Sequence, residues 1–137
     1  MKFMKRKAIK RKPVKRLAAL RGATCCRNEA LDMQMQVSAL YDALLQQNHL
    51  QEQDLVSLIF SVTQDLNAEN PAAALRHLGR APNTALFAVQ EAAVPGGMPG
   101  VIRVLIHAYV PEGVELCHVY QNGAQALRPD RACSPEV

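Results

Sequence analysis

Val101 to Val110 is the longest and most apolar segment of the chain that reads as a strand, interrupted only by Arg103 and His107. Upstream, Leu17 to Thr24 is a short apolar stretch that leads through Gly22 into a turn at Cys25 to Asn28, which suits a first strand. Asn28 is placed as a helix N-cap, and Glu29 complements the positive end of the helix that follows. Leu31, Met35, Leu40, Leu44 and Leu45 keep an apolar stripe near the 3.6-residue period and carry that helix to about Asn48. Leu55 to Thr63 is apolar and β-branched enough for a buried strand, and Asp65 to Asn70 is a polar connection. Asn70-Pro71 opens a second, short helix, with Pro71 at its first position, Asn70 as cap and Gly79 as stop. Thr84 to Glu91 reads as a strand, Pro95-Gly96-Gly97 and Pro99-Gly100 as turns, and His118 to Gln121 as a brief last strand. Asn122-Gly123 marks a hairpin turn into Gln125 to Arg128.

Strands alternating with two helices predict an α+β or α/β layer in which the helices cover one face of a mixed sheet. The other face then needs a cover. With so few helices, self-association about a symmetry axis is the economical solution.

A length of 137 residues, 49% of them apolar, supports one core and one domain. No apolar run is long enough to span a membrane and the first 30 residues hold no export-type apolar stretch, so a cytoplasmic protein is expected. Charge divides the chain. Nine of the sixteen basic residues lie within the first sixteen positions, which contain no acid, so residues 1–16 read as a disordered basic arm. The remainder sets seven arginines against twelve acids, a net charge of −5, and contains no lysine. A domain over residues 17–131 and a flexible tail over 132–137 complete the division. Cations supplied by arginine alone make each arginine a candidate anion ligand. Cys25, Cys26, Cys117 and Cys133 do not form a disulfide framework pattern, so reduced thiols are expected, and their spacing to histidine offers no zinc site.

Alternation places Arg103 on the same strand face as Val101, Leu105 and His107. Leaving a guanidinium unpaired among apolar residues costs several kcal/mol, so Arg103 has a partner, binds an anion, or faces solvent from an edge strand. Glu91 is either that partner or an exposed strand end. Taken singly, Tyr120 is an ordinary strand aromatic and Arg128 a surface cation. His49, His77, His107 and His118 have no triad context and read as structural or surface residues.

Read in order, Arg21-Gly22-Ala23-Thr24, Asp65-Leu66-Asn67-Ala68, Pro71-Ala72, Gln90-Glu91, Gly96-Gly97, Ile102-Arg103-Val104, His118-Val119-Tyr120 and Leu127-Arg128-Pro129-Asp130 form a series at compatible spacing. That series resembles the monofunctional chorismate mutases of the trimeric, barrel-like AroH class, over residues 17 to 131. The resemblance implies an isomerase that needs no cofactor and no metal, acts on chorismate, and places its sites between neighbouring subunits of a homotrimer whose sheets form a pseudo-α/β barrel. It further implies that Arg21 and Tyr120 hold the enolpyruvyl carboxylate, that Arg103 reaches a carboxylate and the ether oxygen, and that Glu91 accepts the substrate hydroxyl. By the same resemblance Arg76 and Arg128 sit near the site mouth, and Ala72 and Leu127 belong to the substrate-binding wall. The chain departs from the family pattern at Asn70, where an aromatic is usual, at Ala73, where a lysine is frequent, and at Ala88, where a thiol residue is familiar.

Two other functions compete. A trimeric imine or enamine deaminase would share the layered shape and an arginine carboxylate anchor, but the Arg-Gly-Ala-Thr and Leu-Arg-Pro-Asp strings do not favour it. A nucleic-acid or anionic-membrane binder acting through the basic arm is disfavoured by an acidic body, only six aromatic residues in the whole chain and no recognisable binding motif.

Overall fold

Backbone pairing along Val101–Pro111 organises the domain. The computed structural model describes residues 14–128 and Asp130. Its elements, in chain order, are β1 (Lys15–Cys25), α1 (Ala30–Gln47), a 3-10 turn (Glu52–Asp54), β2 (Leu55–Val62), α2 (Pro71–His77), β3 (Ala85–Gln90), β4 (Val101–Pro111), β5 (Val119–Gln121) and a second 3-10 turn (Ala124–Leu127). The sheet order is β3-β2-β4-β1-β5. β4 pairs antiparallel with β1 and β2, whereas β1–β5 and β2–β3 are parallel, giving the mixed α+β sheet expected from the sequence.

The two sheet faces differ sharply. Ile102, Val104, Ile106, Ala108 and Val110 of β4 point into the core together with Ala18 and Leu20 of β1 and Leu58 and Phe60 of β2. Met33, Val37, Leu40, Tyr41 and Leu44 of α1 and Ala74 and Leu75 of α2 close that core from one side. Among the described residues the opposite face carries no helix. Leu17, Tyr109, Ile59 and Phe87 stand exposed on it, next to Arg103, Arg21 and His107. Among the described residues no helix is long and apolar enough to cross a membrane.

Several sequence expectations are corrected here. β1 begins at Lys15, so Lys15 and Arg16 belong to the sheet rather than to the arm, and Lys15 Nζ pairs with Asp54 Oδ1 at 3.1 Å. Val14 O accepts from Glu112 N at 2.9 Å, and the remaining arm, residues 1–13, and the tail, residues 132–137, lie outside the described residues. Asn28 does not cap α1: the cap position is Glu29, without a side-chain hydrogen bond, and Asn28 Oδ1 instead accepts from the backbone N–H groups of Asn67 and Ala68, both at 2.9 Å. Leu31 and Met35 are 74% and 63% exposed, because the buried stripe is phased on Met33, about 200° around the helix from either. Asn122-Gly123 does turn the chain in left-handed conformations, but the residues expected to form the returning strand, Ala124–Leu127, are a 3-10 turn. β5 pairs with β1 instead. Cys25 and Cys26 are free thiols as expected, whereas Cys117 is disulfide-bonded. The Asn70 cap forms as read, its Oδ1 accepting from Ala72 N at 2.9 Å.

Candidate active site

Strand register assembles the site on the helix-free face. Arg103 stands opposite Ala23 on β1 and Ser61 on β2, both small. Ala23 pairs in turn with Tyr120 on β5, and Arg21, two residues earlier on β1, points to the same face. Arg21, Ala23, Ile59, Ser61, Arg103, Leu105, Tyr120 and Arg128 thereby line one cleft of about 310 Å³. Tyr120 is only 8% exposed, seated among Ala23, Val101 and Ala124. Leu127 packs against this small cluster, and the 3-10 turn it ends brings Arg128 to the cleft, with Arg128 Nε 3.4 Å from Asp130 Oδ1.

Arg103 has its partner. Its Nε lies 2.5 Å from Oε1 of Glu91, with the two side chains 40% and 25% exposed. Glu91 follows β3 and its N–H donates to Val62 O at 2.9 Å, which fixes the carboxylate beside the end of β2. A second cleft of about 260 Å³, lined by Thr63, Asp65, Glu91, Met98 and Pro99 among others, shares Arg103 with the first. Behind it Asp65 Oδ2 accepts from Gly100 N at 2.8 Å and Thr63 Oγ1 accepts from Val101 N at 3.0 Å, so the turn entering β4 is held.

Ala72 and Arg76 are not brought to the cleft of the single chain. Both lie on α2, on the helix-covered side, with Ala72 packed against the core and Arg76 exposed in the last turn. Reading the sequence also missed three supports. The Asn48 amide clamps Cys117, taking its N–H and donating to its carbonyl, both at 2.8 Å. His118 Nδ1 accepts from Arg21 N at 2.9 Å, and Asp65 holds Gly100. An asparagine at the end of a helix and a histidine entering a strand carry no spacing signal that would have marked them.

The chemistry of this face is cationic and suited to carboxylates. Arg21, Arg103 and Arg128 surround a phenol and an apolar floor, and planar guanidinium groups match carboxylate geometry. The nearby thiols supply no ready nucleophile: burial raises Cys25, and burial aided by Asp32 pushes Cys26 up to about 11.

A mixed sheet whose one face bears a cleft ringed by arginines and a tyrosine defines an α+β protein with a cationic site of a chemistry suited to small carboxylates. The chain belongs to the chorismate mutase type I family, whose sequence model matches residues 17–131. It is 32% identical over 117 residues to chorismate mutase AroH of Bacillus subtilis strain 168, covering 83% of this chain and 91% of that protein. It is 40% identical over 92 residues to chorismate mutase AroH of Thermus thermophilus, covering 64% and 72%. The fold superposes on a chorismate mutase from Clostridium thermocellum with a TM-score of 0.74 and 38% identity, over 80% of this chain and 98% of that one.

Proposed function

We propose that this chain is a chorismate mutase that rearranges chorismate to prephenate, a step toward phenylalanine and tyrosine, at the cleft built on Arg21, Arg103 and Tyr120. The convergence of these residues with Arg128 on one bare sheet face, and the pairing of Arg103 with Glu91, carry the reading. The reaction is a pericyclic shift within one molecule, so it asks for no nucleophile, no proton transfer and no cofactor. Two tasks remain for the protein. Arg21 and Tyr120 hold the enolpyruvyl carboxylate and, with Arg103, keep a flexible dianion in the compact conformer that brings the reacting carbons together. Arg103 then stabilises the negative charge that grows on the ether oxygen as its bond to carbon breaks, more in the transition state than in the ground state. Glu91 accepts the substrate hydroxyl and orients Arg103. Arg128 and Leu127 form one wall of the site.

The proposal includes a homotrimer. Exposed Leu17, Ile59, Phe87 and Tyr109 on the bare face give the apolar surface that such an assembly covers, and α2 of a neighbour would bring Ala72 and Arg76 to the site from outside the chain. Asn70 is occupied in capping α2, so it does not reach across as the usual aromatic would. A cytoplasmic place is also proposed, supported by the adjacent free thiols Cys25 and Cys26; the disulfide at Cys117 makes cell fractionation against a periplasmic marker the deciding measurement.

The test is loss of chorismate absorbance on adding purified protein, with Arg103→Ala as control and light scattering for mass. Turnover that collapses in the folded variant, from a particle three chains in mass, supports the reading. A wild-type protein without turnover overturns it.

A further inference from the structure

We infer that His118 is a positioning residue for the carboxylate-binding pair, holding the backbone of Arg21 and the strand that carries Tyr120 in one register. The inference rests on the reading of Arg21 as a substrate ligand.

β5 has only three residues and lies at the sheet edge, paired with β1 at Gly22↔Val119, Ala23↔Tyr120 and Thr24↔Gln121. So short an edge strand has few ladder hydrogen bonds to fix it, yet it seats Tyr120. One residue before that ladder begins, the imidazole of His118 takes over: its Nδ1 accepts from the backbone N–H of Arg21 at 2.9 Å. A nitrogen that accepts carries no proton, so the neutral ring holds its hydrogen on Nε2.

The imidazole also starts from an anchored point. Asn48, buried at the end of α1, bonds both backbone groups of Cys117 at 2.8 Å, and its amide nitrogen donates to Leu44 O at 2.8 Å as well. The helix therefore fixes Cys117, His118 reaches from there to the backbone of Arg21, and Tyr120 follows two residues on. Arg21 has a long, exposed side chain, and where its guanidinium sits depends on the backbone from which it departs. Removing the acceptor leaves β1 paired with β4 on its other side but unties Arg21 N–H from the start of β5, so the spacing between the Arg21 and Tyr120 contacts loosens while Arg103, on β4, is left in place.

The amide oxygen of asparagine falls where Nδ1 of histidine lies, whereas that of glutamine falls nearer Nε2. This separates positioning from a general contribution to folding. Steady-state kinetics with chorismate are measured for the wild type, Arg21→Ala, His118→Asn, His118→Gln and His118→Ala, each with a thermal melt. The expected result is a KM raised about tenfold in His118→Ala and His118→Gln with kcat within about twofold, and KM within about twofold of wild type in His118→Asn, the scale of one hydrogen bond. A folded His118→Ala with wild-type KM beside a raised KM in Arg21→Ala overturns the inference alone. So does an asparagine variant as impaired as the glutamine one, a comparison that decides the matter if the alanine variant fails to fold. An Arg21→Ala protein with unchanged KM, or a wild type without turnover, overturns the reading of Arg21 on which the inference stands.

Discussion

Arg103 reaches across β2 to Glu91: one residue lies on β4, the other just past β3, and the strand between them sets Ser61 opposite Arg103. The small side chain allows the ion pair to form over the sheet surface. A half-buried cation is thereby balanced before any ligand arrives; Arg103 borders both clefts, and the Glu91 carboxylate lines the second.

Arg103→Ala lowers kcat by about two to three orders of magnitude, because a pre-placed donor to a developing oxyanion is worth about 3 to 4 kcal/mol. Arg103→Lys keeps the charge but loses the fork, and falls between alanine and wild type. Turnover assays on variants with native circular dichroism check this order.

Gly22→Ala destabilises the fold by about 1 to 3 kcal/mol, the usual cost of overpacking a core. A Cβ at position 22 would lie 2.7 Å from Leu44 Cδ1 and 3.0 Å from Leu40 Cδ1, where β1 faces α1. Urea denaturation gives the shift. A variant as stable as wild type would show that the two leucines move aside freely.

Acid unfolding has a defined direction. The hydrogen bond from Arg27 N holds the Asp32 carboxyl below its ordinary 3.8. At Asp54 burial acts upward, but the bond from Gln51 N and the Lys15 ammonium outweigh it, so its value also falls below 3.8. A carboxyl lowered by folding stabilises the native state above its unfolded value, and that stability is lost as pH falls through the folded value. Urea midpoints therefore drop as pH is taken below about 4, and Asp32→Asn, which keeps a neutral acceptor for Arg27 N, shows a shallower drop. Equal slopes in the two proteins would remove Asp32 from the account.

Thiol chemistry reports the packing beneath the site. With Cys26 pushed up to about 11, iodoacetamide at about pH 8 finds on the order of one thiolate in a thousand. Mass spectrometry of the folded protein should find Cys26 unmodified. Unfolding without reductant should add labels at Cys25 and Cys26 and leave Cys117 protected until a reductant is supplied.

The strands and both helices were legible because their signals are local: β-branched apolar runs for β2 and β4, and Asn70-Pro71 for the start of α2. Arg103 stood out because a charge inside an apolar strand demands an explanation, and Glu91 was one of the partners it could take. The first half of α1 was misread because leucine and methionine occur on both sides of the helix: Leu40 and Leu44 are buried as read, but the packing of β1 and α2 selects Met33 and Val37 over Leu31 and Met35. The end of the chain was misread because Asn122-Gly123 fixes a turn and not what the next residues pair with.

What the sequence alone determined is the set of parts: a mixed sheet with two helices, cations supplied only by arginine beyond the basic start, and an ordered series of strings with a family likeness. Tertiary structure decided which parts meet. Arg21, Arg103 and Tyr120 are far apart in the chain and share a cleft only because β4 pairs with β1 and β1 with β5 in one particular register. That register is set by which faces bury apolar area against α1 and α2 and by contacts such as Asn48 to Cys117 and His118 to Arg21. Burial and pairing act between distant segments, so local pattern names the candidates and long-range contact places them.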